Sequence, residues 1–320
     1  MTRELGKTKK HTDHRFPKQV GETVNNVFGR TLNPHNLNLT VGGSSGGEGA
    51  LVGFRGSPLG VGTDIGGSIR IPSLCCGTYG FRPTSKRIPN GLFSTSGRYG
   101  SPGFLSVVGP LANSTRDLRY FLENVIAARP WDRDPGARVV PWRPVEKKTS
   151  LRIGFLLEDK NHRVTPPIRR ALTEAVKKIQ AAGHTVVPVE GQPSLDETTE
   201  TAFAFFSLDT KQVPYQYILD SGEPPVPPIA ELYEVSYVPK TPRTIDDVYN
   251  LNVKKADLNA RWHGVFVKGN LDVILMPGFR ATAVPHDTYG IPHYTLVWNL
   301  LDVSTLGGHF YRIWTITNSV

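Results

Sequence analysis

The apolar positions of this chain change period from one segment to the next. Residues 151–157 form a short apolar run, and Pro167 then opens a stretch with Ile168, Leu172, Ala175, Val176 and Ile179 on one helical face. Gly183 stops that stretch and residues 184–189 are apolar again. Strand, amphipathic helix and strand in this order predict a βαβ unit, and with it an α/β architecture around a largely buried sheet. Ser114 fits an N-cap, with Asp117 at the third helical position and Leu118, Phe121, Leu122 and Val125 on the inward face. Another helix is predicted over 245–266, and Leu271–Met276, stopped by Pro277, reads as a fully buried strand. Proline, arginine and tryptophan without period make 129–148 a connecting loop. Prolines crowd 221–243 too densely for regular structure, which predicts a surface loop or lid. No internal repeat is present.

The stretch from Gly42 to Gly80 is the most glycine-dense of the chain, yet apolar residues run through it. That mixture predicts ordered tight turns rather than a linker. A short helix is expected over 45–54, a turn at Arg55-Gly56-Ser57-Pro58, a strand over 59–63, and another sharp turn at Gly66-Gly67.

Composition adds bounds. A 320-residue chain with 38% hydrophobic residues is in the globular range, large enough for one large domain or two. Its net charge of +9 is concentrated at the start, where six basic side chains among residues 1–18 face only Glu4 and Asp13. That arm has no aromatic interleaving and no nucleic-acid-binding module behind it, so a solvated, disordered arm over 1–20 is expected, and no nucleic-acid partner. No apolar run approaches the ~20 residues of a membrane span, and no signal-peptide core is visible, so a cytoplasmic protein is expected. Cys75 and Cys76 are sequence neighbours, expected to be buried reduced thiols; no metal site and no cofactor are predicted.

Chemistry concentrates in Gly42-Gly43-Ser44-Ser45-Gly46-Gly47 and Asp64-Ile65-Gly66-Gly67-Ser68-Ile69-Arg70. Glycine beside serine lets backbone N–H groups approach a substrate with no Cβ in the way, as an oxyanion hole requires. The N–H groups of Ile65, Gly66, Gly67 and Ser68 are placed to face a developing oxyanion beside the Ser68 hydroxyl. Gly42-x-Ser44-x-Gly46 also satisfies a nucleophile-elbow pattern with Ser44 as nucleophile, but the strand it needs falls on the short, polar Asn36–Thr40. A phosphate cradle would want Lys-Ser or Lys-Thr after the glycines, and none follows.

GGSSGGEGALVGFRGSPLGVGTDIGGSIRIPSLCCGTYGFRPT resembles the core of the amidase signature family, and within it the fungal acetamidase and general amidase group, with fatty acid amide hydrolase more distant. NNVFGRTLNPHN before it, VGPLANS after it, and LDVILMP with HDTYG near the end agree, so the resemblance runs over 21–302. It implies an α/β/α sandwich with a mixed central sheet, forming one incomplete domain over 21–302, and a divergent tail over 303–320. It also implies hydrolysis of small-molecule carboxamides. Carried over, the nucleophile falls on Ser68 and a bridging serine, preceded by a cis peptide, on Ser44. The oxyanion donors fall on Ile65 to Ser68. Asp64 and Arg70 are expected to support the turn through buried hydrogen bonds, and Ser45 to cap the following helix. Neither His286 nor His293 has a role in this chemistry, and both are read as packed or surface histidines. The family's lysine base has no match, because Lys7, Lys9, Lys10 and Lys18 lie too close to Ser44 in sequence and in the wrong surroundings. A non-catalytic remnant or binding protein is therefore the alternative, and an amidotransferase subunit a third. The oligomeric state is not fixed by these features.

Overall fold

The computed structural model describes residues 21–91, 98–146, 148–236 and 243–308. The basic arm over 1–20 and the last residues of the tail lie outside them. The chain begins with a small hairpin, β1 (Val24–Asn25) and β2 (Gly29–Arg30). The glycine-rich region follows as α1 (Gly46–Gly53) and β3 (Leu59–Asp64), the helix and strand the sequence predicts, and then α2 (Arg70–Cys76) and β4 (Tyr79–Arg82), which it does not single out. Next come β5 (Val107–Ala112) and α3 (Thr115–Ala127), whose N-cap Ser114 accepts the Asp117 N–H as expected. The second half contains β6 (Arg152–Phe155), α4 (Pro166–Ala181), β7 (Thr185–Pro188), α5 (Leu195–Phe206), α6 (Val213–Asp220) and α7 (Pro227–Glu231). It ends with α8 (Ile245–Gly269), β8 (Val273–Leu275), α9 (His293–Leu300) and β9 (Thr305–Gly308).

The α/β class holds, with parallel and antiparallel pairing both present. An antiparallel sheet has the order β3-β5-β4-β9, and a parallel sheet the order β7-β6-β8. In the first, all six residues of β5 are buried, while β3 alternates, with Gly60, Gly62 and Asp64 facing inward. A Cβ on Gly62 would stand 2.5 Å from Ser45 Oγ, so the bare backbone lets α1 lie directly on β3. The βαβ unit is β6, α4 and β7, packed with α5, α8 and α9 around Leu172, Leu258, Trp262, Val297 and Leu300.

Four expectations change. The strand near 271 is shorter than predicted and not fully buried, since β8 and β7 are the edges on either side of β6. The 221–243 region is not simply a loop: Pro227 and Pro228 occupy the first turn of α7, where a missing N–H costs nothing, and Ile229 packs with Tyr215 and Val226. Ser45 stands at the N-cap position of α1 without capping it, because its hydroxyl accepts the Thr63 N–H at 3.2 Å and contacts Thr63 O at 3.3 Å. The expected tail starts inside the sheet, as β9 pairs antiparallel with β4 from Tyr79↔Gly308 to Arg82↔Thr305. Cys75 and Cys76 are free and buried, and burial pushes the Cys76 thiol up to about 12.

A buried ionic cluster joins the two halves. Asp64, at the end of β3, is fully buried and accepts Arg70 Nε and Nη2 at 2.9 Å each, Asn299 Nδ2 at 2.8 Å, and the Gly67 and Ile69 N–H groups at 2.8 and 3.2 Å. Arg70 also donates to Thr295 O at 3.0 Å and Asn299 Oδ1 at 2.6 Å, so α9 is tied to the start of α2. Burial alone would raise the Asp64 carboxyl, but the charge and hydrogen bonds of Arg70, the Asn299 amide and the Arg82 charge hold it at about 2 against an ordinary 3.8.

The Asp64 contribution is therefore complete above pH 3.8 and lost as pH falls toward about 2, worth roughly 2 kcal/mol across that window. Asp64→Asn should cost about 3–5 kcal/mol by leaving Arg70 buried without its counter-charge, and should remove that acid limb. Urea unfolding at pH 7 and between pH 4 and 2 measures both; an unchanged acid limb in Asp64→Asn would refute the assignment. Helix α8 carries a capping box, with Thr244 Oγ1 accepting the Asp247 N–H and Asp247 accepting the Thr244 N–H. Thr244→Ala should lower stability by about 1 kcal/mol, read from the urea midpoint.

Candidate active site

Ser44 and Ser68 are both half-buried, on two turns that touch. The Ser44 turn precedes α1: Gly42 has φ +82°, the Gly43–Ser44 peptide is cis, and a Cβ on Gly43 would fall 2.2 Å from Glu22 O. The Thr23 hydroxyl lies 3.1 Å from Gly42 O and 3.3 Å from Ser44 O, and accepts the Gly46 N–H at 3.1 Å. Glu22 is fully buried, and its carboxylate accepts the Asp287 N–H at 3.0 Å and lies 3.2 Å from His286 Nδ1. His286 Nε2 is 2.9 Å from Leu37 O, which makes this histidine a packing residue.

The Ser68 turn leaves β3 and enters α2. The Asp64 carboxylate closes it from inside by taking two of its N–H groups, and Thr295 Oγ1 donates to Gly66 O at 2.7 Å. Gly67, at φ +132°, passes so close to α9 that a Cβ would stand 2.3 Å from Thr295 Oγ1. The two turns are joined through backbone, with the Ser45 N–H donating to Ser68 O at 3.1 Å. Among the described residues no hydrogen bond links the Ser44 and Ser68 hydroxyls.

This geometry revises the expected set of oxyanion donors. The Gly67 N–H is committed to Asp64 Oδ1, because the turn needs that bond to close over the buried carboxylate. The N–H groups of Ile65, Gly66 and Ser68 have no partner among the described residues and remain as donors. Asp64 and Arg70 occupy the supporting position expected of them. Thr23, Glu22, Thr295 and Asn299 also hold the two turns, and each acts through backbone atoms or buried groups far away in sequence.

Beside Ile65 lies a cavity of about 80 Å³ walled by Phe104, Phe205, Phe206 and Tyr233. Phe104 meets Phe205 edge-on at 6.2 Å and Phe206 at 5.1 Å, so the wall is aromatic and fixed. Lys255 is half-buried nearby in the fold: burial lowers its pKa, Asp302 opposes this, and Arg82 adds to it. Its ammonium donates to Gly103 O at 2.6 Å, and no hydrogen bond connects it to either serine among the described residues. No helix among the described residues is long and apolar enough to cross a membrane.

The amidase family model matches residues 17–307. An amidase of Gibberella moniliformis is 37% identical over 284 residues, which span 88% of this chain and 53% of that protein. An acetamidase of Aspergillus oryzae is 35% identical over 314 residues, spanning 90% of this chain and 54% of its own length. Among solved structures, a fatty acid amide hydrolase superposes with a TM-score of 0.84 at 34% identity, covering 91% of this chain and 52% of that one. The chain thus spans about half the length of these relatives, and the match includes both serine turns and the Asp64 cluster that holds them. The chain belongs to the amidase family.

Proposed function

We propose that the chain carries the serine half of an amide-hydrolysing site, with Ser68 as nucleophile and Ser44 as proton relay. The observation that supports this reading is the Ile65–Ser68 turn. It offers a half-buried serine hydroxyl beside three uncommitted backbone N–H groups, packed on a second serine turn. Ser68 Oγ attacks the carbonyl carbon of a carboxamide and passes its proton to Ser44. The carbonyl electron pair moves to oxygen, where the N–H groups of Ile65, Gly66 and Ser68 meet the negative charge in a site held by Asp64. Collapse restores the carbonyl and breaks the C–N bond. The nitrogen leaves as ammonia or amine with the relayed proton, and Ser68 is left as an ester. Water then releases the carboxylate and restores the hydroxyl. The aromatic cavity beside Ile65 suits a small apolar group on the amide.

The relay needs a final base, which in the family is a neutral lysine. We match no lysine of this chain to it, and Lys255 is bound to Gly103 O. Acylation by the chain alone is then slower by orders of magnitude, because an unactivated serine hydroxyl is a weak nucleophile. The same observation favours a second reading, a protein that binds amides in the oxyanion turn without turning them over.

A fluorophosphonate probe separates the two. Slow labelling of the chain is expected on Ser68, found by intact mass and absent in Ser68→Ala, with acetamide hydrolysis no faster than in that variant. Failure of the folded, unmutated chain to label at any rate would leave only the binding reading.

A further inference from the structure

The two histidines that the sequence placed outside the amide chemistry differ in their surroundings. His286 is absorbed by Glu22 and Leu37, whereas His293 belongs to a cluster on the far side of α9. The His293 and His162 rings stack with centroids 3.7 Å apart, and His162 Nε2 lies 2.6 Å from Asp196 Oδ1. One ligand-capable atom from each of His162, Asp196 and His293 falls within 4.8 Å of the others. Among the described residues no other histidine, cysteine or carboxylate group of three does so. We propose that His162, Asp196 and His293 form a binding site for a divalent transition-metal ion of the zinc type.

The donor set is two imidazoles and one carboxylate, a combination that suits Zn²⁺ and its neighbours over the oxygen-seeking Mg²⁺ and Ca²⁺. His293 Nδ1 is 2.9 Å from Thr199 Oγ1. With its proton on Nδ1 and donated to that hydroxyl, the ring presents Nε2 as a ligand, the usual way a second partner orients a metal-binding histidine. Asn161 Nδ2 donates to Asp196 Oδ2 at 2.6 Å, which leaves Oδ1 to face the imidazoles.

Metal-bound atoms in a tetrahedral site are ~3.3 Å apart, so donors already within 4.8 Å need small side-chain adjustments. His162 must place its proton on Nδ1 and give up its direct hydrogen bond to Asp196, with the ion between them. The loop that bears His162 and the 191–194 loop that leads into α5 and Asp196 wall an open cavity of about 500 Å³, lined by Glu158, Asp159, Lys160 and Arg163 on one side and residues 191–194 on the other. The scaffold is rigid: the Tyr294 hydroxyl donates to His162 O and accepts the Asp159 N–H, pinning this loop to α9. His293 is the first residue of α9, two positions before Thr295, which holds the Ser68 turn. An ion here would clamp the helix that positions the nucleophile.

The test is calorimetric titration of the full 320-residue chain with Zn²⁺ alone, with Mg²⁺ as the contrast, followed by Co²⁺ absorption. Expected are one equivalent of Zn²⁺, no Mg²⁺ binding, and four-coordinate Co²⁺ bands without thiolate charge transfer. His162→Gln and His293→Gln should each weaken Zn²⁺ binding at least about tenfold. The proposal is overturned if the unmutated chain shows no saturable Zn²⁺ binding, if the Co²⁺ spectrum reports thiolate, or if both folded variants bind as tightly as the parent. Should His293→Gln not fold, the half-buried His162→Gln with the Co²⁺ spectrum decides between the same two outcomes.

Discussion

The Asp64 carboxylate is the contact on which the rest of this structure depends. It is fully buried, and a lone carboxylate there would be forced neutral by desolvation. It stays charged because Arg70 meets it with two hydrogen bonds, Asn299 adds a third, and two backbone N–H groups of the Ser68 turn complete its coordination. The same charge that must be satisfied is what closes the turn. Shape and electrostatics at Ser68 are thus one requirement: a backbone that did not wrap Asp64 would leave an uncompensated ion in the core.

Glycine sets how tightly the second serine turn can join the first. Gly43 runs against Glu22 O and Gly62 against the Ser45 hydroxyl, with no room for a Cβ at either place. This allows the backbone contact between Ser45 and Ser68, and the Ser45 hydroxyl, drawn to Thr63, braces α1 on β3 instead of capping it. A serine at a helix start has two uses for its hydroxyl, and packing against a strand took precedence here over the local cap.

Local signals were readable in the chain and distant ones were not. The βαβ unit, α3 with its Ser114 cap, α8 and the glycine-serine turns are each carried by one contiguous stretch of sequence. Helix α9 does not: Tyr294 to Leu300 are all buried, so no polar face alternates with an apolar one and no amphipathic period exists to detect. Its Thr295 and Asn299 meet the Ser68 turn across more than 220 residues of sequence. Glu22 and Thr23 are silent in the sequence for a different reason, since they act on backbone groups, Glu22 accepting the Asp287 N–H and Thr23 accepting the Gly46 N–H and donating to Gly42 O, roles that no residue type advertises. The same holds for His162 and Asp196, which come together with His293 only when one loop, α5 and α9 are assembled.

The contacts that shape the Ser68 turn involve no lysine among the described residues. Asp64, Arg70, Asn299, Thr295 and the bare glycines determine where Ser68 and its neighbouring N–H groups sit, and every one of these is inside the chain. In the proposed relay a base would act on the proton of Ser44, not on that geometry. Under that proposal, pre-organisation for a tetrahedral oxyanion and activation of the nucleophile are separable. Oxyanion donors fixed in advance retain their share of transition-state stabilisation even when the nucleophile is not activated, because their orientation is set by folding and not by the proton transfer. Under the proposed function, a chain with this core would favour the carbonyl group of an amide whether or not it completes the reaction. In that proposal the fate of one proton separates the hydrolase reading from the binding reading.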